Sequence, residues 1–169
     1  MDPHVASLIN DQINYELFSA YLYFDMEHAY VEKNLDGFAH WFHVQAKEEL
    51  DHAYLFCRYL HNNEERVLLQ SIQQPSAAYS SAASALEAAY THEKKVTEQI
   101  HQIYATALEA KDFRTMQFLL WFIEEQGEEE QSTKDVLDKA QLFGNDPKLL
   151  YLLDKELAAR TYAPPSFTL

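Results

Sequence analysis

Glu48-Glu49-Leu50-Asp51-His52 decides the reading of this chain. In a helix, Glu49 and His52 fall on one face, one turn apart. The same face continues through Phe38, Phe42 and Gln45 on one side and Phe56 and Tyr59 on the other. It is apolar and aromatic except at its middle. Three other stretches repeat this pattern at steps of three or four. Val5, Leu8, Gln12, Glu16, Ser19, Tyr23, Met26 and Tyr30 form one. Leu86, Tyr90, Glu93, Val96, Ile100 and Ile103 form the second, and Phe118, Phe122, Gln126, Glu129, Thr133 and Val136 the third. Each stripe is interrupted by a glutamate.

The breakers lie between these stripes. Prolines stand at positions 3, 75, 147, 164 and 165, and the intervening stretches are rich in good helix formers. Asp2-Pro3 and Asp146-Pro147 read as an N-cap followed by proline at the first helical position. Ser84-x-x-Glu87 reads as a capping box and Gly144 as a helix stop. The pattern predicts helices over 3–32, 36–63, 83–110, 112–142 and 147–159, with an irregular tail over 160–169. Asn34-Leu35-Asp36-Gly37 and Lys111-Asp112 are tight turns, so each joins an antiparallel pair. Segment 64–82 is different. About 18 extended residues reach ~60 Å, more than the ~42 Å of a 28-residue helix. That link can run the length of a bundle and make the second and third helices parallel. The expectation is one all-α domain over 1–169: a four-helix bundle with one long crossover and a short fifth helix.

Height along the bundle is the next test. From the end where the first helix starts, Glu16 lies at ~20 Å, Glu49 at ~21 Å, Glu93 at ~27 Å and Glu129 at ~26 Å. All four reach mid-bundle within about one turn. Four buried carboxylates cannot all stay ionised, because desolvation and like-charge repulsion each cost several kcal/mol. Protons or cations must neutralise them, and two divalent cations match four carboxylates. His52 adds a nitrogen ligand. Oxygen-rich sites with one imidazole suit iron or manganese, whereas structural zinc would want thiolates or more imidazoles. Glu98 and His101 have the same spacing as Glu49 and His52, but they lie off the stripe and read as a solvated pair.

Composition limits the alternatives. The 169 residues carry 13 Lys+Arg against 27 Asp+Glu, a net charge of −14. That argues against nucleic acid and anionic membranes and favours cations. The single cysteine, Cys57, excludes an intramolecular disulfide and fits a reducing, cytoplasmic setting. No apolar run nears membrane-spanning length, and three glycines are too few for a phosphate-cradling loop.

Taken together, Glu16, Glu49-Leu-Asp-His52, Glu93 and Gln126-Gly-Glu-Glu129 resemble the ferroxidase centre of ferritins, in particular the bacterial non-haem branch. The likeness covers roughly residues 4–160. It implies a ferritin-like fold, with Glu16, Glu49 and His52 holding one iron, Glu93 and Glu129 the second, and Glu49 bridging. It places Gln126 beside the second iron and Tyr23 next to the centre as an electron donor. Glu48, Glu125, Glu128 and Glu129 match a third iron position of the bacterial branch. Haem is not expected: Leu50 stands where bacterioferritins have a haem-ligating methionine, and Gln126 and Glu129 stand where they carry a second Glu-x-x-His. The resemblance further implies a homo-oligomeric shell of twenty-four subunits that oxidises Fe²⁺ with O₂ or peroxide and stores the ferric product.

Two rival readings remain at this level: a di-metal oxidase or oxygenase acting on an organic substrate, and a metal-free helical interaction module. Six further histidines (His4, His28, His40, His43, His61 and His92) have no spacing that converges on the carboxylates and read as surface or packing residues. Leu149, Leu150, Leu153 and Leu157 give the short last helix an apolar face in want of a partner. Eleven tyrosines and ten phenylalanines suggest broad subunit interfaces.

Overall fold

The described residues form five helices: α1 Pro3–Val31, α2 Asp36–Asn62, α3 Ser84–Glu109, α4 Phe113–Phe143 and α5 Pro147–Leu157. The computed structural model describes residues 1–75 and 78–167, and no strand occurs among them. Three aspartates start helices, Asp2 and Asp146 as expected and Asp112, read as a turn residue, in addition. Asp2 accepts from the His4 and Val5 amides, Asp112 from Thr115, and Asp146 from Lys148 and Leu149. Each such cap stabilises by about 1 kcal/mol. The capping box at Ser84 does not form. Ala83 is the N-cap, and the Ser84 hydroxyl instead exchanges hydrogen bonds with Ser81. Gly144 does end α4, but with φ −63°, not in the left-handed conformation. Left-handed residues sit in the links: Asn34 and Lys111 in the two tight turns, and Glu64 after α2.

The long link runs the length of α1. The Asn10 side-chain amide donates to the Arg66 carbonyl at 3.1 Å, and its oxygen accepts from the Leu68 amide at 2.6 Å. One turn on, Asn14 donates to the Leu68 carbonyl at 2.9 Å and accepts from the Gln70 amide at 2.7 Å. At the far end Lys33 donates to the Tyr79 carbonyl at 2.7 Å, and the Tyr30 hydroxyl donates to that of Ala82. The link thus satisfies backbone groups that would otherwise lack partners on the protein side. It delivers the chain back to the end where α2 began, so α2 and α3 run parallel.

The core is two apolar clusters with a polar layer between them. One gathers Met26, Tyr30, Phe38, Phe42, Leu86 and Leu137 with Leu153 and Leu157 of α5. The other gathers Ile9, Ile13, Phe56, Leu60, Ile100, Phe118 and Phe122. The four glutamates of the stripes lie between them, each at most 5% exposed.

Helix α5 docks through a contact the sequence conceals. Helix α2 has no side-chain cap of its own. The buried Asp154 of α5 supplies one, accepting from the Gly37 amide at 2.7 Å and the Phe38 amide at 3.1 Å. Gly37 belongs to the first turn of α2, not to the preceding turn as its sequence context suggests. It is needed because α5 comes so close: a Cβ there would lie 1.7 Å from the Asp154 carbonyl oxygen. Of the leucines expected to face inward on α5, Leu153 and Leu157 are buried, whereas Leu149 is 40% exposed. Gly37→Ala is expected to lever α5 off and break this cap, at a cost of roughly 1–3 kcal/mol. Circular dichroism melts should show the midpoint falling by about 5 °C. An unchanged midpoint would mean that α5 does not brace α2.

Candidate metal centre

Helices α1 and α2 bring Glu16, Glu49 and His52 together. Each offers one ligand atom, and these atoms lie within 4.8 Å of one another. It is the one such group among the described residues. The three side chains are almost fully buried. Glu16 Oε2, Glu49 Oε2 and His52 Nδ1 are buried without a hydrogen-bond partner. Orphaned buried polar atoms are costly, and three of them sharing one cluster is what a cation would relieve. His52 Nδ1 stands 3.6 Å from Glu49 Oε2. Its ring is held edge-on between Trp121 and Phe122.

The remaining polar atoms in this layer are held by amides and a phenol. Gln12 donates to Glu16 Oε1 at 2.8 Å, and Gln45 to Glu129 Oε2 at 2.7 Å. Gln126 donates to Glu93 Oε2 at 3.1 Å, and the Tyr23 hydroxyl donates to Glu93 Oε1. On Glu16 and Glu129 a single donor orients the carboxylate and leaves its other oxygen open, as second-shell partners of a metal site do, whereas both oxygens of Glu93 accept a hydrogen bond. Gln12 and Gln45 lie on the sequence stripes, yet nothing in their spacing singles them out as partners.

Electrostatics fit a site short of positive charge. Burial, then the Glu49 charge, holds the Glu16 carboxyl well above the usual range. Burial alone would raise Glu49 as well, but His52 outweighs it and lowers this carboxyl. Burial alone would lower His52. The carboxylates of Glu125 and Glu49 push it well above the usual range instead. Burial, then Glu129, raises Glu93. Burial, then Glu49 and Glu48, raises Glu129 to about 7. Without a cation the layer holds protons, as four crowded acids must.

The acids matched by resemblance to a third iron do not meet as one group. Glu48 forms an ion pair with Arg160 at 2.6 Å. Glu125 Oε1 faces His52 Nε2 at 3.8 Å. Glu128 is exposed, and Glu129 belongs to the buried layer. Glu98 and His101 are both exposed. His92 is a packing histidine, bonded to Ser19 at 2.7 Å and stacked on Tyr15, and burial lowers it to about 4. A Cβ at Gly127 would meet nothing within 4 Å, so its lack of a side chain has no structural reason.

An all-α bundle with one long crossover and a buried carboxylate–imidazole layer across its core defines the ferritin-like class. The chain belongs to the ferritin family: the ferritin-like domain matches residues 6–143. It is 36% identical over 155 residues to a bacterial non-heme ferritin of Campylobacter jejuni, covering 92% of this chain and 93% of that one. It is 34% identical over 157 residues to a probable bacterial non-heme ferritin-like protein of Haemophilus influenzae, covering 93% and 95%. Among solved structures, an Archaeoglobus fulgidus ferritin engineered into a closed form superposes with a TM-score of 0.94 at 38% identity, covering 96% and 99%. No helix among the described residues is long and apolar enough to cross a membrane.

Proposed function

We propose that this protein stores iron: it oxidises Fe²⁺ at a two-metal centre and holds the ferric mineral inside a hollow homo-oligomeric shell in the cytoplasm. The observation that carries this reading is the convergence of the orphaned Glu16, Glu49 and His52 atoms. Glu16, Glu49 and His52 would hold one Fe²⁺; Glu93 and Glu129, with Glu49 as bridge, would hold the other. Two divalent ions balance the four carboxylates, so no charge need remain buried alone. His52 must be neutral to ligate. Glu125, opposite its second ring nitrogen, is then placed to orient it. Gln12, Gln45 and Gln126 hold the carboxylates in position. The Tyr23 phenol on Glu93 is placed to donate a proton or an electron there.

The redox balance is simple. Two Fe²⁺ lose one electron each. O₂ takes both with two protons and becomes hydrogen peroxide, or peroxide takes both with two protons and becomes two waters. Holding two substrate ions side by side lets the pair of electrons leave together.

Assembly follows from what the subunit leaves uncovered. Tyr21, Phe24, Leu50 and Ile72 are all more than 40% exposed and line one apolar groove with Leu17. A contiguous apolar face on a subunit marks an interface.

Purified protein given Fe²⁺ in air is expected to form particles of one size, many times the 19.7 kDa subunit, each with an electron-dense core. Light scattering and unstained electron microscopy read both. A monomer or dimer that turns over iron but keeps no core would contradict storage.

A further inference from the structure

The polypeptide after α5 does not leave the bundle. It turns back across α2 and α4 and closes over the outer side of His52. Arg160 is its anchor. The guanidinium donates to Glu48 Oε2 at 2.6 Å and to the Trp41 carbonyl at 3.4 Å, and it lies 4.8 Å from the Trp41 ring centroid. The Arg160 carbonyl faces His40 Nε2 at 2.8 Å. Further on, the Tyr162 hydroxyl donates to Asp51, and the Phe167 ring packs 5.6 Å from that of Trp121. Between these anchors a cavity of about 190 Å³ is lined by Glu48, His52, Trp121, Glu125, Pro165 and Ser166. His52 therefore touches both places: Nδ1 faces Glu49 in the buried layer, and Nε2 faces Glu125 on the cavity.

We propose that Arg160 is a built-in counter-cation that denies Glu48 to a metal ion and so fixes the centre at two ions per subunit. This rests on the two-metal reading above and deepens it. A divalent ion ligated by Glu48 would have to compete with the guanidinium, which already holds Glu48 Oε2 in a charge-assisted hydrogen bond and neutralises its charge. Admitting the ion means displacing Arg160, and with it the Trp41 stacking and the His40 contact. The charges already close without it. Glu16, Glu49, Glu93 and Glu129 balance two divalent ions, Glu48 is balanced by Arg160, and Glu125 is open enough to be solvated. Arginine suits this role because it stays charged, bonds through a planar fork and stacks on an indole.

The test uses Zn²⁺ as a redox-inert probe in crystals of the whole protein, with anomalous scattering at the zinc edge. In the native chain, zinc is expected at Glu16, Glu49 and His52 and absent from the cavity at Glu48. In Arg160→Gln, a further zinc is expected between Glu48 and Glu125. Arg160→Lys, which keeps the charge, is expected to leave that position empty. Zinc at Glu48 in the native chain, or an empty cavity in Arg160→Gln, would overturn the proposal. Glu48→Gln gives an answer even if the arginine variant does not fold. The number of zinc ions bound per subunit by calorimetry should equal that of the native chain, and one ion fewer would mean that Glu48 ligates metal with Arg160 in place. If zinc binds at neither position in any of these proteins, the two-metal reading fails and takes this inference with it. If the buried cluster fills but the cavity behaves otherwise than stated, only this inference fails.

Discussion

Replacing Glu49 by alanine is expected to slow the initial oxidation of Fe²⁺ by about a hundredfold or more while leaving the shell assembled. Loss of an orienting partner at a metal site already costs ten- to a hundredfold, and Glu49 is placed to do more. It is the carboxylate nearest His52, and it shares the cluster with Glu16. Its removal takes away the proposed bridge between two ions. It also leaves Glu16 and His52 without the third member of their cluster. His52→Ala should behave similarly, with a smaller loss if water takes the nitrogen's place. Stopped-flow absorbance after mixing with Fe²⁺ reads the rate, and light scattering confirms assembly. Oxidation at the native rate in both variants would remove the centre from where it is placed here.

A divalent metal should stabilise this protein more at pH 8 than at pH 5. The sign follows from which state holds more protons. In the metal-free fold, Glu16, Glu93 and Glu129 are held above the ordinary carboxylate range. Each therefore contributes stability that is present below the unfolded value and lost as pH rises through the folded one. For Glu129 that window runs from 4.5 to about 7. His52, also raised, acts in the same direction at higher pH. Glu49, which is lowered, acts in the opposite direction. Three carboxylates and an imidazole outweigh one carboxylate, so metal-free stability should decline from mildly acidic to mildly basic pH. Bound ions keep the carboxylates ionised and remove the decline. At a hundred times the dissociation constant they add about 2.7 kcal/mol. Melting curves with and without Zn²⁺ at the two pH values read the difference. A gap that is equal or narrower at pH 8 would contradict the account of a proton-filled layer.

Much of this was legible in the residues because a helix converts spacing into direction. One glutamate on each of four apolar stripes pointed to a bundle with a polar layer inside it, and the structure buries all four between two apolar clusters. Asp2 and Asp146 cap through neighbours in sequence, so they too could be read. What escaped depends on partners far along the chain. Asp154 caps a helix more than a hundred residues earlier, and Gly37 looks like a turn residue until α5 is seen pressed against it. Asn10 and Asn14 are ordinary helix-surface residues until the crossover lies across them. Arg160 follows the last helix, where no periodicity speaks. Ser84 shows the converse. Its local pattern was right for a capping box, but Ser81 competed for the hydroxyl.

The most direct measurement is a crystal soaked in ferrous salt without oxygen, with anomalous scattering recorded at the iron edge. Two peaks per subunit are expected, one among Glu16, Glu49 and His52 and one among Glu49, Glu93 and Glu129. Iron confined to the exposed acids, with this buried layer still metal-free under saturating Fe²⁺, would contradict the account.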